Sequence, residues 1–340
     1  MAHPARLRDA GFHDGELAVQ AQAGVSAAAA RLSGMLAPAE LRGGMARFLA
    51  ARTFAALTAR DDAGRLWISP LTGPAGFLAA TSPTTLTVHA APAAGDPLGA
   101  PRAGQQVGLL VIEFAARRRV RLNGSLTAAG RDLLRIEVEQ AYGNCPQYIQ
   151  QRDLEPAPAA GQASGPVRYG TTLTQRDEDL IRRADTFLIG TSHPVRGSDA
   201  SHRGGPPGFV RAGNGQLWWP DYPGNNMFNT LGNLAVDPAA ALLFCDFATG
   251  DTLHLSGTAA LRWTGTGVPG DDGGTGRRVL YTPRALVAGR LLPRQAGAVI
   301  ASPDNPALTG PPGPPGRPSG YGDMAVPRES APANFGAPFS

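Results

Sequence analysis

The chain has 340 residues with a net charge of +4, 42% hydrophobic and only 6% aromatic residues, and 44 Gly and 31 Pro. That length suits two ordinary domains with a sizeable core, while 17% charged residues spread the positive charge too thinly for a nucleic-acid face. All 31 basic residues are Arg, which excludes a lysine Schiff base and a phosphate-loop lysine; two Cys cannot build an iron–sulfur cluster and show no zinc spacing.

Residues 1–35 read as an Ala-rich, weakly helical extension without the apolar core of a signal peptide. The longest apolar runs are strand-length, so a soluble cytoplasmic protein with no membrane partner is expected, its two thiols buried rather than bridged. Residues 36–152 form a first unit. Leu41, Met45, Phe48 and Leu49 recur at helical spacing over 38–51, with Pro38 suited to a first turn. Short apolar runs divided by Gly, Pro and Asp follow, the pattern of an all-β unit. The run 108–112 is apolar throughout and predicts a strand buried on both faces. Arg117, Arg119 and Arg121 share one face of the next strand, with Val120 and Leu122 on the other. Three guanidinium groups in a row need either solvent or an anion. Over 133–139, Leu134, Ile136 and Val138 alternate with charged residues.

Residues 153–172 read as a linker, and 173–263 as a second unit. It opens on Thr174-Gln175-Arg176-Asp177, which resembles a helix capping box with Asp in place of Glu. Ser201-His202-Arg203-Gly204-Gly205 gathers a hydroxyl, an imidazole, a guanidinium and free backbone N–H groups, which is either a phosphate cradle or a solvated glycine turn. Asn225, Asn226, Asn229 and Thr230 place neutral donors near a predicted helix start, as anion ligands or, for Asn225 and Asn226, as simple caps. Trp218 and Trp219 take opposite faces, one of them core. Residues 264–340 read as a largely disordered Gly/Pro-rich tail with a short strand at 278–281. The triplet rhythm of 310–316 is too brief for a collagen helix.

The two units repeat one another. Ser69-Pro70-Leu71-Thr72-Gly73-Pro74-Ala75-Gly76-Phe77 lines up with Ser201-His202-Arg203-Gly204-Gly205-Pro206-Pro207-Gly208-Phe209. Thr53-Phe54 and Thr186-Phe187 precede them. Downstream, 109–114 matches 242–247, and Arg121-Leu122-Asn123-Gly124-Ser125 matches His254-Leu255-Ser256-Gly257-Thr258. Four blocks in one order at an offset of about 132 indicate a tandem duplication.

The second unit resembles the flavin-binding split barrel of the pyridoxamine 5′-phosphate oxidase family. The resemblance rests on 207–211, Leu217-Trp218-Trp219-Pro220-Asp221, the helix at 226–234, and Asp237-Pro238 before Leu242-Leu243-Phe244. In the first unit, Arg118-Arg119-Val120-Arg121-Leu122-Asn123-Gly124 is similar to the family's R-Q-V-R-x-x-G strand. Tyr142-Gly143-Asn144-Cys145-Pro146-Gln147-Tyr148 resembles the N-C-P-K-Y element of flavin-nucleotide-binding relatives. The resemblance implies a mainly β fold with some α: two tandem split β-barrels forming a pseudo-dimer within one chain. It also implies FMN between the barrels, with Ser201, Arg203, Asn226, Asn229 and Thr230 on the phosphate side and Arg119 or Arg121 reaching across. Two departures stand out. Asn229-Thr230 replaces the family's Arg-Lys pair, and a Pro/Gly/Asp loop over 92–104 replaces the helix in the first unit, so one site at most is equipped. The function implied is an FMN-dependent oxidoreductase with an unspecified small-molecule substrate or electron donor. The alternatives are a non-catalytic flavin-binding module and a structural pseudo-dimer without cofactor; homodimerisation of whole chains is compatible with all three. No catalytic residue and no metal ligand stands out.

Overall fold

A computed structural model describes residues 11–37, 40–99, 101–156, 166–264 and 271–308. Helices α1 (Asp14–Gln22) and α2 (Ser26–Ala30) lead into α3 (Gly43–Ala50). Seven strands follow: β1 (Phe54–Arg60), β2 (Leu66–Thr72), β3 (Leu78–Ala80), β4 (Thr85–Val88), β5 (Gln106–Glu113), β6 (Arg118–Ala129) and β7 (Leu134–Asn144). They form one antiparallel sheet in the order β2-β1-β5-β6-β7-β4-β3. Short strands β8 (Leu154–Pro156) and β9 (Arg168–Gly170) and helix α4 (Gln175–Arg183) connect to the second unit. Its strands are β10 (Thr186–His193), β11 (Gly197–Gly204), β12 (Arg211–Gly213), β13 (Gln216–Pro220), β14 (Ala239–Cys245), β15 (Asp251–Trp263) and β16 (Arg277–Arg290). Helix α5 (Asn229–Val236) lies between β13 and β14. The order β11-β10-β14-β15-β16-β13-β12 repeats the first sheet strand for strand. A last strand, β17 (Arg294–Ala296), pairs with β8.

Register fixes which residues correspond. Leu57 pairs with Ser69 and Leu109, as Ile189 pairs with Ser201 and Leu242. Leu109 pairs with Leu122 as Leu242 pairs with Leu255. Ser69 therefore corresponds to Ser201 and Arg121 to His254. The sequence match of Phe54 with Phe187 is one residue out: on this register Phe187 corresponds to Ala55. Side chains alternate along a strand, so the slip exchanges faces. Phe187 fills the second barrel's core, whereas Phe54 belongs to the layer between barrels.

Three apolar layers result. Leu57, Leu109, Val111 and Leu122 are in the first barrel's core, and Ile189, Leu242, Phe244 and Leu255 in the second's. Phe54, Ala56, Leu110, Ile112, Leu188, Leu243 and Phe247 join the two barrels. The run 108–112 is buried on both faces as expected, because Leu109 and Leu110 serve different layers. Two glycines permit the close approach. A Cβ on Gly108 would lie 2.5 Å from the Asp199 carbonyl carbon, and one on Gly190 would lie 2.5 Å from Thr58 Oγ1.

The capping box forms: Thr174 accepts a hydrogen bond from the Asp177 N–H and donates its own N–H to the Asp177 carboxylate at 2.7 Å. Trp219 is core, while Trp218 carries Arg278 4.7 Å above its ring. Both Cys are free; Cys245 is buried, whereas Cys145 is half-buried rather than in a core.

The region after Trp263 departs from the expected tail. Strand β16 spans 14 residues, pairs with β15 and β13, and buries Val279, Tyr281, Leu286 and Val287. The expected short strand at 278–281 is one end of it. The segment 298–308 also folds back, with Ile300 bridging to Gln151. The expected linker contributes β8 and β9, the latter pairing with β16. The collagen-like run 310–316 lies outside the described residues.

Candidate functional site

The alternation of β6 sends Val120 and Leu122 into the first barrel's core. Arg119 and Arg121 consequently face the second barrel, and β11 lies opposite them. The Arg121 guanidinium donates to Asn229 Oδ1 at 3.2 Å and to Ser201 Oγ, and lies 3.4 Å from the Asp199 carboxylate. Burial opposes its charge, but Asp199 holds the guanidinium charged. Burial in turn raises the Asp199 pKa, against the opposing charge of Arg121.

Arg119 donates to His202 Nδ1 at 2.9 Å and to the His202 carbonyl at 3.3 Å. Guanidinium has no acceptor, so His202 Nδ1 must be unprotonated and Nε2 must carry the hydrogen. Burial, reinforced by Arg119 and Arg152, pushes the His202 pKa well below its usual value, so this ring is neutral. Burial, with Arg121 alongside, lowers Arg119 to about 10. Arg119 Nε and His202 Nε2 are buried without partners.

Arg119, Arg121, His202 and Arg203 line one cleft between the barrels, enclosing about 570 Å³ with its mouth included. Its far wall carries Tyr148 and Tyr222, their rings 5.1 Å apart, together with Cys145 and Asp221. The Tyr148 hydroxyl donates to the Pro223 carbonyl at 2.8 Å, tying the first unit's Asn-Cys-Pro-Gln-Tyr element to the second barrel. Gly204 is required here, since a Cβ would come within 1.9 Å of the Tyr148 carbonyl oxygen. Beyond Arg121 lies a second, smaller cavity of about 330 Å³ with its mouth included, lined by His13, Glu16, Asn123, Tyr142, Asp199 and Asn229 among others.

The structure thus gathers Arg119, Arg121, Ser201, Arg203 and Asn229 between the barrels. The other two expected residues stand apart. Asn226 lines neither cavity; it takes φ 62° in the turn before α5. Thr230 is buried with its hydroxyl unpartnered and also lines neither. Nor do Asn225 and Asn226 cap the helix: the N-cap is Phe228, without a side-chain cap bond. Arg117 leaves the arginine row through a left-handed φ of 50° and donates to the Ala301 carbonyl at 3.0 Å. Sequence reasoning missed Asp199, Glu16 and His13. The first is buried on β11 two residues before Ser201, and the other two arrive from the N-terminal extension.

The pseudo-symmetric position is built differently. There His254 stands for Arg121 and Ser69 for Ser201, and the loop residue Asp96 takes the place of Asn229. Ser69 Oγ donates to Asp96 Oδ1 at 2.6 Å, Asp96 Oδ2 lies 3.9 Å from His254 Nε2, and His254 Nδ1 lies 3.0 Å from the Ile68 carbonyl. All three side chains are buried. Counterparts of Arg119, His202 and Arg203 are Thr252, Pro70 and Leu71, so no basic cleft forms.

Fold and site define a split β-barrel pair with one polar, arginine-rich cleft between its halves. Residues 173–266, which hold the second barrel up to Trp263, match the family model for pyridoxamine 5′-phosphate oxidase. No curated protein matches the chain. Among solved structures, HupZ of Group A Streptococcus is 15% identical, covering 41% of this chain and 100% of its own at a TM-score of 0.23. A protein of the pyridoxinephosphate oxidase family from Clostridium acetobutylicum is 14% identical, covering 36% and 91% at 0.26. An F420 reductase is 14% identical, covering 36% and 94% at 0.22. Among the described residues no helix is long and apolar enough to cross a membrane, and no group of His, Cys, Asp and Glu could hold a metal ion.

Proposed function

We propose that the chain binds one FMN in the cleft between its barrels and works as a flavin-dependent oxidoreductase. The observation that carries this reading is the convergence of Arg119 and Arg121 from one barrel with Arg203 from the other on a single cleft. Neighbouring guanidinium groups repel, and burial lowers the pKa of Arg119 and Arg203. A phosphate there relieves the repulsion and receives charge-assisted hydrogen bonds. The unpartnered Arg119 Nε and His202 Nε2–H supply two further donors. The family match on the second barrel supports a flavin as the bearer of that phosphate.

When bound, the flavin supplies the redox chemistry. The protein's part is to hold the phosphate through Arg119, Arg121 and Arg203, to present the Tyr148 and Tyr222 rings along the wall, and to exclude water. His202 enters as a neutral donor through Nε2.

Titration of the apoprotein with FMN, followed by quenching of flavin fluorescence, tests the reading. Saturation at one FMN per chain is expected. Arg203→Ala should weaken binding by roughly 1.5–3 kcal/mol, the scale of a hydrogen bond to a charged group, or about tenfold to a hundredfold. Arg118→Ala is the control, because Arg118 is exposed and lies over the Phe48 ring at 4.9 Å, away from the cleft. Absence of saturable binding at micromolar FMN would sink the proposal. Reoxidation of the reduced complex by a small-molecule acceptor with turnover separates an enzyme from a flavin carrier.

A further inference from the structure

Helix α1 lies directly on α5. A Cβ on Gly15 would sit 2.3 Å from the Gly232 carbonyl oxygen, and one on Gly232 would sit 2.7 Å from Glu16 Cα. Two glycines thus let the helices touch backbone to backbone. The contact is polar as well as close. His13 Nε2 lies 3.0 Å from Asn233 Oδ1, Gln20 donates to the Met227 carbonyl at 3.1 Å, and Arg196 donates to the Gly11 carbonyl at 2.6 Å.

At the centre of the contact is Glu16, which is buried. One carboxylate oxygen accepts from Asn229 Nδ2 at 2.5 Å and the other from the His13 N–H at 2.8 Å. Asn229 is thereby oriented with its oxygen towards Arg121, which it receives at 3.2 Å. Arg121 in turn holds Ser201 across the gap. This chain of bonds runs from α1 to β11 and divides the space between the barrels, with the large cleft on one side of Arg121 and the small cavity on the other. Glu16 thus occupies the Asn229 Nδ2 donor and, through Asn229 Oδ1, helps to hold Arg121.

We propose that α1 is an intramolecular cover of the flavin site, its Glu16 carboxylate occupying the Asn229 donor and locking Arg121 until a phosphate-bearing flavin displaces it. The proposal rests on the flavin reading above. Release of Glu16 frees Asn229 to turn its amide N–H outward and frees Arg121 to leave Ser201, which joins the two cavities into one groove along β6.

The test uses the full chain and FMN itself. Gly15→Val cannot dock, because any Cβ meets the Gly232 carbonyl, yet it alters no group that touches the cleft. Glu16→Gln keeps the helix and removes the competing charge. Both variants should bind FMN several-fold more tightly than the wild type and associate with it faster. Amide exchange over 14–22 should rise in Gly15→Val without ligand, and in the wild type only when FMN is added. Equal affinity and rate in all three proteins, with exchange in α1 unchanged by FMN, would overturn the cover while leaving the flavin site standing. Weaker binding by Gly15→Val would also overturn it, since α1 would then be part of the ligand's own contacts. No FMN binding by any of the three would overturn the flavin reading and the cover together.

Discussion

Glu16 shows how one buried residue sets a pH dependence. Burial raises its pKa from 4.5 to about 7, against the hydrogen bonds from His13 and Asn229. A carboxylic acid whose folded pKa lies above its unfolded value stabilises the fold below the unfolded value, and that contribution is lost as pH rises towards the folded value. Each unit is worth about 1.4 kcal/mol, so the loss between pH 4.5 and 7 amounts to roughly 3.5 kcal/mol at most. His13 runs the other way. Burial, with His193 nearby, lowers it from 6.5 to about 3, so its contribution is lost on acidification from 6.5 towards 3. The two slopes oppose each other over pH 4.5–6.5 in the wild type. Glu16→Gln removes one of them. The stability of the variant relative to the wild type should therefore climb between pH 4.5 and 7 and level off above. Urea unfolding at a series of pH values measures this difference, and a flat difference would contradict the assignment of Glu16 as the buried acid.

Elements differ in how openly the sequence declares them. Strand β16 supplies the sharpest prediction. It pairs with β15 from Asp251↔Arg290 to Trp263↔Arg277 and closes the second sheet through β13. A chain ending at Trp263 would lose Tyr281, Val279 and Leu286 from the core and leave β13 and β15 as bare edges. Such a truncation should fail to give a folded second barrel, as read by the loss of near-ultraviolet dichroism from Trp219 and its neighbours. A cooperatively folded product would contradict the placement of β16. This strand was hidden because Gly and Pro dominate the residues around it, and because Arg277, Arg278, Arg284 and Arg290 interrupt its apolar positions. The strand-turn blocks before Phe77 and Phe209 were legible for the opposite reason. Each is fixed by a glycine: a Cβ on Gly73 would fall 2.4 Å from Phe77 Cβ, and one on Gly205 2.7 Å from Phe209 Cγ. The arginine row on β6 was half legible. Alternation placed Arg119 and Arg121 together, but only the tertiary fold brings Glu16, 105 residues away in sequence (121 − 16), to the same centre. The turn before α5 misled in a different way, since Asn225 and Asn226 have capping chemistry but the chain passes through left-handed Asn226 and Phe228 before the helix begins.

At the scale of the whole molecule, two barrels of one strand order meet with unequal sites. In one, Ser201, Asn229 and Arg121 stand beside an open basic cleft. In the other, Ser69 donates to Asp96 and His254 stands 3.9 Å from the Asp96 carboxylate in a buried cluster. The difference follows from what joins the fourth and fifth strands of each sheet: α5 in the second barrel, a Pro/Gly loop carrying Asp96 in the first. Burial raises the Asp96 pKa and lowers that of His254, so the closed cluster favours a neutral pair. Among the described residues, the cationic partners proposed for a flavin phosphate therefore lie on one side of the molecule only. His254→Ala should leave the FMN stoichiometry at one per chain and the affinity unchanged. It should nevertheless destabilise the fold by about 1–3 kcal/mol, because Asp96 loses its neighbour and the Ile68 carbonyl its partner in a buried layer. Arg121→Ala, its counterpart across the pseudo-twofold, should weaken FMN binding at least tenfold. Calorimetric titration with FMN alongside thermal unfolding of both variants separates these outcomes. Two equivalents bound by the wild type, or an affinity loss in His254→Ala equal to that in Arg121→Ala, would mean that both faces of the pseudo-dimer carry flavin.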